Sequence, residues 1–379
     1  MDYPDKLGVY RLGDLKFYSK IEAIEMHAKT GIHPHWDFNE AAFSSYDWTV
    51  EPEENILELY RLRAEQLREK YDYIVLFWSG GADSETVLQS FIYNDIKLDE
   101  IVSYSNYEAS KDKTDYMNSE LFFRTIPRAE QLKTTYPWMK FRNIDISQMT
   151  IDFFSDPNLK FDWIYNMNMM FTPNSVARDK IGLKVKDWAD IIHSGKKLCL
   201  LWGIDKPRIF HENDRFLFRF IDILDFGPKV SGIAGEDPYS DELFFWSPES
   251  AKIVIKQAHM IKNYLNTELD SSPYVSDKKS DLAFKMKNGS KKWLSNHGVH
   301  QIIYPNWDIN TFDAGKPGSL IMSPRDTWFF NLEEDNVPKK IWTLGITHLW
   351  NLLPDYWKND PDDPYKGLRA CWSKDYYLE

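Results

Sequence analysis

The residues best placed to do chemistry are Ser79-Gly80-Gly81-Ala82-Asp83-Ser84. Two consecutive glycines let the backbone turn tightly and approach a ligand closely. Their N–H groups, with those of a helix that starts here, make a nest of donors. The positive end of the helix dipole adds to it, so the loop suits a phosphate. Ser79 and Ser84 add hydroxyl donors. Asp83 is itself an anion, so it either caps the helix or holds Mg²⁺ near the phosphates. The run lacks the G-x-x-x-x-G-K-[ST] spacing of a Walker loop and the G-x-G-x-x-G of a dinucleotide fingerprint.

The elements around the loop fit that chemistry. Tyr73-Ile74-Val75-Leu76-Phe77-Trp78 is a short unbroken apolar run that stops at Ser-Gly-Gly, the signature of a buried strand. Residues 84–93 place Val87, Leu88, Phe91 and Ile92 on one helical face. Before the strand, 53–70 reads as an amphipathic helix with Glu53 and Glu54 in its first turn. After it, strands are expected at 101–104, 141–146, 198–203 and 216–221. Helices are expected at 116–134, broken near Pro127, at 248–268 behind Pro248, and as a pair within 160–195. Alternating strands and helices predict an α/β fold with an open, mostly parallel, doubly wound sheet. An N-terminal extension (1–70) precedes the nucleotide-binding domain (71–230). A soft Gly/Pro/Asp-rich boundary leads to an aromatic-rich, partly helical C-terminal region (231–379), whose last hundred residues read as irregular.

Set between a strand and a helix, S-G-G-x-D-S resembles the pyrophosphate-binding loop of the PP-loop ATP pyrophosphatases, the adenine nucleotide alpha hydrolase-like superfamily. The resemblance is close over about 71–106 and extends more loosely to about 225. It implies a Rossmann-like sheet with ATP and Mg²⁺ at Ser79, Gly80, Gly81, Ala82, Asp83 and Ser84, the metal on Asp83. It also implies cleavage of ATP to AMP and pyrophosphate. An acceptor oxygen attacks the α-phosphorus and a nitrogen nucleophile then displaces AMP, as in the ligases and amidotransferases of the superfamily. The end of the second strand, with Tyr104, Ser105 and Asn106, would help hold the adenosine. The loop Gly203-Ile204-Asp205-Lys206-Pro207-Arg208 would bring Asp205, Lys206 and Arg208 toward the phosphates, with Lys206 and Arg208 stabilising the leaving pyrophosphate. With no attached glutaminase visible, the nitrogen donor would be ammonia, an amine or a separate protein. The chain resembles the stand-alone members found in bacteriophages, which would place it in a host cytoplasm. More distantly it resembles the PAPS reductases, which implies an alternative role for Cys371 as a nucleophile toward sulfur. A non-catalytic nucleotide-binding module is the third reading.

Composition narrows the field. The 379 residues carry 46 Lys and Arg against 58 Asp and Glu, a net charge of −12, and the pI is about 5.3. Affinity for nucleic acid comes largely from Lys and Arg, so an acceptor that is a small molecule or nucleotide is favoured over nucleic acid. Lys278, Lys279, Lys285, Lys287, Lys291 and Lys292, beside Trp293, form a local basic stretch; it reads as a solvated segment or as a site for tRNA, DNA or a phosphorylated substrate. A mean hydropathy of −0.52 and the lack of a 20-residue apolar run predict no membrane span. The stretch MDYPDKLGVYRLGD has no basic segment followed by an apolar one, so no signal peptide is expected. Two cysteines, Cys199 and Cys371, cannot build a disulfide scaffold, a four-cysteine zinc site or a four-cysteine iron–sulfur cluster within one chain, and a reducing cytoplasm is the expected setting. Cys199 falls within a strand and reads as core. His33 with His35, and His297 with His300, have metal-like spacings without a third ligand nearby; packed or loop histidines are the default.

Overall fold

The computed structural model describes residues 5, 7–114, 116–167, 171–174, 176, 184–213, 215–222, 230–231, 233, 239–266, 282–285, 291–294, 296–306 and 326–379. Five strands make the central sheet: β4 (Tyr73–Phe77), β5 (Glu100–Ser105), β6 (Lys140–Asp145), β7 (Leu198–Trp202) and β10 (Tyr239–Leu243). Their order is β10-β7-β4-β5-β6, and every neighbouring pair is parallel. The protein is therefore α/β, and its sheet strands, numbered along the chain, stand in the order 3-2-1-4-5 of a Rossmann-like sheet.

Both faces of the sheet are covered, which is why β4 reads as an unbroken apolar run. Ile74 and Leu76 face one core with Leu59, Ala64 and Leu67 of α2 (Ile56–Lys70) and Val87, Leu88 and Phe91 of α3 (Ala82–Ile92). Val75 and Phe77 face the other, with Leu198, Leu200 and Trp188 of α6 (Lys186–His193). Each buried Leu, Ile or Phe contributes about 1.5–3 kcal/mol over an exposed one. Of the remaining helices, α4 (Ile126–Thr135) and α5 (Ser147–Phe154) flank β6 in the chain, and α7 (Lys252–Asn266) follows β10.

The ends of the chain form a second construction. Strands β1 (Val9–Leu12), β2 (Leu15–Phe17) and β3 (His35–Asp37) make an antiparallel sheet beside α1 (Lys20–Thr30). Ser19 caps α1 by accepting from Glu22 N, and Gly31 closes it in the left-handed region. A further antiparallel sheet has the order β13-β9-β8, from β8 (Ile209–Glu212), β9 (Arg215–Phe218) and β13 (Tyr376–Tyr377). The buried Asp222 ties the two ends together. It accepts from Tyr10 Oη at 2.9 Å, Lys20 Nζ at 2.5 Å and Cys371 N at 2.9 Å.

Several sequence expectations change. The helix expected from 53 starts at Ile56, because the Asn55 side chain accepts from Glu58 N and caps it. The break in 116–134 precedes Pro127: a π-turn at Leu121–Thr125 makes it, and Pro127 sits in the first turn of α4. The strand near 216–221 is not in the parallel sheet but hairpins with β8. Within 160–195 the second expected helix is α6, while the first part holds a 3₁₀ turn at Phe161–Asn166 and helical residues at 173, 174 and 176. The fifth sheet strand, β10, lies beyond residue 230, so the sheet draws on both sides of the expected domain boundary. The C-terminal region also contains α9 (Val337–Leu352), whose Trp342 stacks on Trp163 with centroids 5.2 Å apart. A scatter of Trp and Pro hid its period.

Candidate functional site

Chain order reverses between β4 and β7, and the crevice outside the carboxyl ends of those strands is where open α/β sheets bind ligands. Phe77 and Trp202, paired in register on the two strands, stack at 3.8 Å and 5°. That contact holds the ends of the strands together. The Ser79–Ser84 turn leaves β4 there, and Gly203–Arg208 leaves β7 there.

The turn is built from its own hydroxyls. Ser79 N donates to Ser84 Oγ at 3.2 Å, Gly81 N to Ser79 Oγ at 3.3 Å, and Ser84 Oγ to Gly81 O at 3.2 Å. Gly80 has φ +75°, a conformation that a side chain strains, and a Cβ there would also stand 3.2 Å from Thr125 Oγ1. Thr125, at the end of the π-turn, donates to Ser79 O and braces the loop from outside. Glu85 N takes Gly81 O as its partner. The backbone N–H groups of Gly80, Ala82 and Asp83 meet no acceptor among the described residues, so three donors stand open at the start of α3. Gly203 allows the close approach of the β7 turn, since a Cβ would stand 3.2 Å from the Asp83 and Ser84 backbone.

Charged groups converge on the same point. Lys206 Nζ donates to Asp83 Oδ2 at 2.8 Å and stands 3.5 Å from Asp205 Oδ1. Arg208 reaches to 3.9 Å from Asp205 Oδ2. On the other Asp83 oxygen, Tyr304 Oη donates to Oδ1 at 2.5 Å, and His300 Nε2 lies 3.7 Å from Oδ1. Burial by itself raises the Asp83 pKa, but Lys206, His300 and the two hydrogen bonds outweigh it and hold the carboxyl at about 2. Burial opposes the charge on Lys206 too, and the two carboxylates still raise it above the ordinary lysine value. Burial and the Asp83 carboxylate push the Tyr304 phenol well up, so its hydroxyl stays a donor.

The structure thus brings Ser79–Ser84, Asp205, Lys206 and Arg208 together. The end of β5 is arranged differently. Ser103 Oγ donates to Trp78 O at 2.6 Å, which binds β5 to the start of the loop. Ser105 is fully buried, donating to Asp145 Oδ2 at 3.0 Å and accepting from Asn143 Nδ2 at 2.8 Å. Asn106 N donates to Asn118 Oδ1, and the Tyr104 ring stacks on Phe77 toward the second core. Ser105 and Tyr104 are thus tied to the sheet end by their side chains, and Asn106 by its backbone N–H. Tyr304 is the group that the sequence reading missed. Its signal was there: His300 and Tyr304 are four apart, the spacing of one helical turn, and Tyr304 N donates to His300 O at 2.8 Å.

The other candidates settle elsewhere. Cys199 is core. Cys371 is buried, and burial pushes its thiol up to about 12, which keeps it protonated and a poor nucleophile. His35 Nε2 bonds Glu40 Oε1 at 2.7 Å, and the His33 ring lies 4.2 Å from that of His27. Among the described residues no three His, Cys, Asp or Glu groups cluster as metal ligands. Of the lysine-rich stretch 278–292, only the backbone of the hairpin β11 (Leu282–Lys285) and β12 (Lys291–Leu294) is described. Its side chains, Trp293 and the His297 side chain lie outside the described residues. Among the described residues no helix is long and apolar enough to cross a membrane. Compared with protein-family models, with curated proteins and with solved structures, the chain matches none.

Proposed function

We propose that the protein is an AMP-forming, ATP-dependent adenylating enzyme with the PP-loop at Ser79–Ser84. One observation carries the reading. The open N–H groups at the start of α3 and the Lys206 ammonium meet at Asp83, in the crevice where the sheet reverses. Backbone donors at a helix start bind phosphate oxygens. A lysine beside them is a movable point charge. In this reading the β- and γ-phosphates lie on Gly80–Asp83, and an acceptor oxygen attacks the α-phosphorus. The bond to the β-phosphate's bridging oxygen breaks. Lys206 and Arg208 then stabilise the charge growing on pyrophosphate. A nitrogen nucleophile displaces AMP from the activated acceptor.

Asp83 and Asp205 suit Mg²⁺ because they are hard oxygen donors on either side of the Lys206 cation. They would hold the metal, which neutralises phosphate charge when bound. Positioning and charge stabilisation supply the catalysis, as in other phosphoryl transfers.

The test uses ATP labelled at the α-phosphate, Mg²⁺ and separate pools of small metabolites, nucleosides, tRNA and DNA, with Asp83→Ala as control. AMP that appears with one pool and is lost in Asp83→Ala supports the reading and names the acceptor class. ADP and phosphate as products overturn it.

A further inference from the structure

Tyr304 belongs to no part of the nucleotide-binding sheet. It follows α8 (Asn296–Ile303), 221 positions from Asp83, yet its hydroxyl donates to Asp83 Oδ1. The helix that delivers it is firmly held. Val299 and Ile303 are fully buried. The carbonyl of Ile303 accepts from Tyr60 Oη of α2 at 2.8 Å, and Gln257 of α7 donates to that same hydroxyl at 2.8 Å. Phe245 and His300 flank the Tyr304 ring at 5.6 and 5.5 Å. So α2, α7 and α8 together set where one hydroxyl sits, and that hydroxyl meets the carboxylate that holds Lys206.

We infer that Tyr304 is a positioning residue for the adenylation site: it fixes the Asp83 carboxylate so that Oδ2 presents Lys206 to the phosphates. The inference rests on the reading of the Ser79–Ser84 loop as an ATP site, and deepens it. The mechanism is electrostatic. A hydrogen bond to Oδ1 draws part of the carboxylate charge to that side and prevents its rotation. Without it, Lys206 and His300 compete for a carboxylate that turns freely, and Asp83 holds the ammonium more tightly. Lys206 is then less available as charge develops on the leaving pyrophosphate. An interaction that strengthens only in the transition state appears in kcat and not in ground-state binding. The region after residue 230 thereby contributes to the nucleotide chemistry, not only to the acceptor.

The choice of substitution matters, because the ring also walls a cavity of about 230 Å³ with Leu57, Tyr60, Thr86 and Gln89. Tyr304→Ala would open that wall, whereas Tyr304→Phe removes the hydroxyl alone. The experiment compares wild type and Tyr304→Phe in two measurements on the full chain. One is the calorimetric Kd for the α,β-methylene analogue of ATP; the other is kcat and KM for AMP formation with the responsive acceptor pool. A melting curve checks folding. The expected result is an analogue Kd and ATP KM within about threefold, and a kcat lower by about 10–100-fold, the scale for groups that orient a functional ligand. An unchanged kcat overturns the inference and leaves the ATP reading standing. Loss of analogue binding together with kcat overturns it as well, since the role is then structural. Failure of the wild type to bind the analogue overturns the ATP reading, and the inference with it.

Discussion

Lys206 Nζ stands 2.8 Å from Asp83 Oδ2, although 123 positions separate the two residues. The pair joins the turn after β4 to the turn after β7 at the point where the strand order reverses. It sets the positive charge of a lysine beside the open donors at the start of α3. If the site handles phosphate charge, removing this lysine should be felt first in turnover. Lys206→Met is expected to lower kcat for AMP formation by about 10²–10³, the range for deleting one preorganised charge-stabilising group. Steady-state release of labelled AMP measures this, and a loss of less than about threefold would be incompatible with the role.

Gly203 should prove as demanding as the charged residues. An added Cβ meets the Asp83 and Ser84 backbone at 3.2 Å, so Gly203→Val must push the β7 turn away from α3. We expect ATP-analogue binding to weaken at least about tenfold, as overpacking shifts backbone and costs about 1–3 kcal/mol. Calorimetry reads the binding. Undiminished affinity would mean that the two turns need not touch.

The Asp83 carboxyl is held at about 2, below its ordinary value of 3.8. A depressed carboxylate stabilises the fold in full above the unfolded value. That contribution is lost as pH falls through the folded one. Unfolding free energy should therefore decline between about pH 4 and 2, with up to about 1.4 kcal/mol per pH unit from this single group. Asp83→Asn should flatten that part of the curve. Urea titrations of both proteins across the window decide it, and parallel slopes would show that Asp83 is not the group involved.

Both thiols should be silent in the native protein. Cys199 and Cys371 are buried, and the Cys371 thiol lies at about 12. Labelling with a disulfide reagent at neutral pH is expected only on unfolding, and Cys371→Ser should leave AMP formation within about twofold, since only a thiolate is an effective nucleophile. Rapid native labelling of Cys371 would reopen the sulfur-chemistry reading.

Lys20 and Asp222 form an ion pair with both side chains fully buried. Taking away one partner strands the other charge, which costs about 3–5 kcal/mol. Asp222→Ala should lower the unfolding free energy by about that much, because it also releases Tyr10 and the Cys371 amide. A denaturant midpoint within error of wild type would rule this out.

What the sequence determined by itself is local. The apolar run at 73–78, the glycine pair and the helical period after it follow from steric rules and burial patterns that act within about ten residues. They were legible, and with them the loop, its donors and the α/β class. Lys206 and Arg208 were legible as a charged turn leaving a buried strand. Their meeting with Asp83 needed the sheet order, which no local pattern encodes. The packing of α2, α7 and α8 alone decided that Tyr304, from a region read as irregular, would touch Asp83. The fifth strand was hidden for a related reason: Tyr-Ser-Asp-Glu-Leu has little β character, and it pairs at Tyr239–Leu243 because β7 offers it an open edge. Periodicity shows which face of an element is buried, but the partner that covers that face is selected by shape and charge across the whole fold.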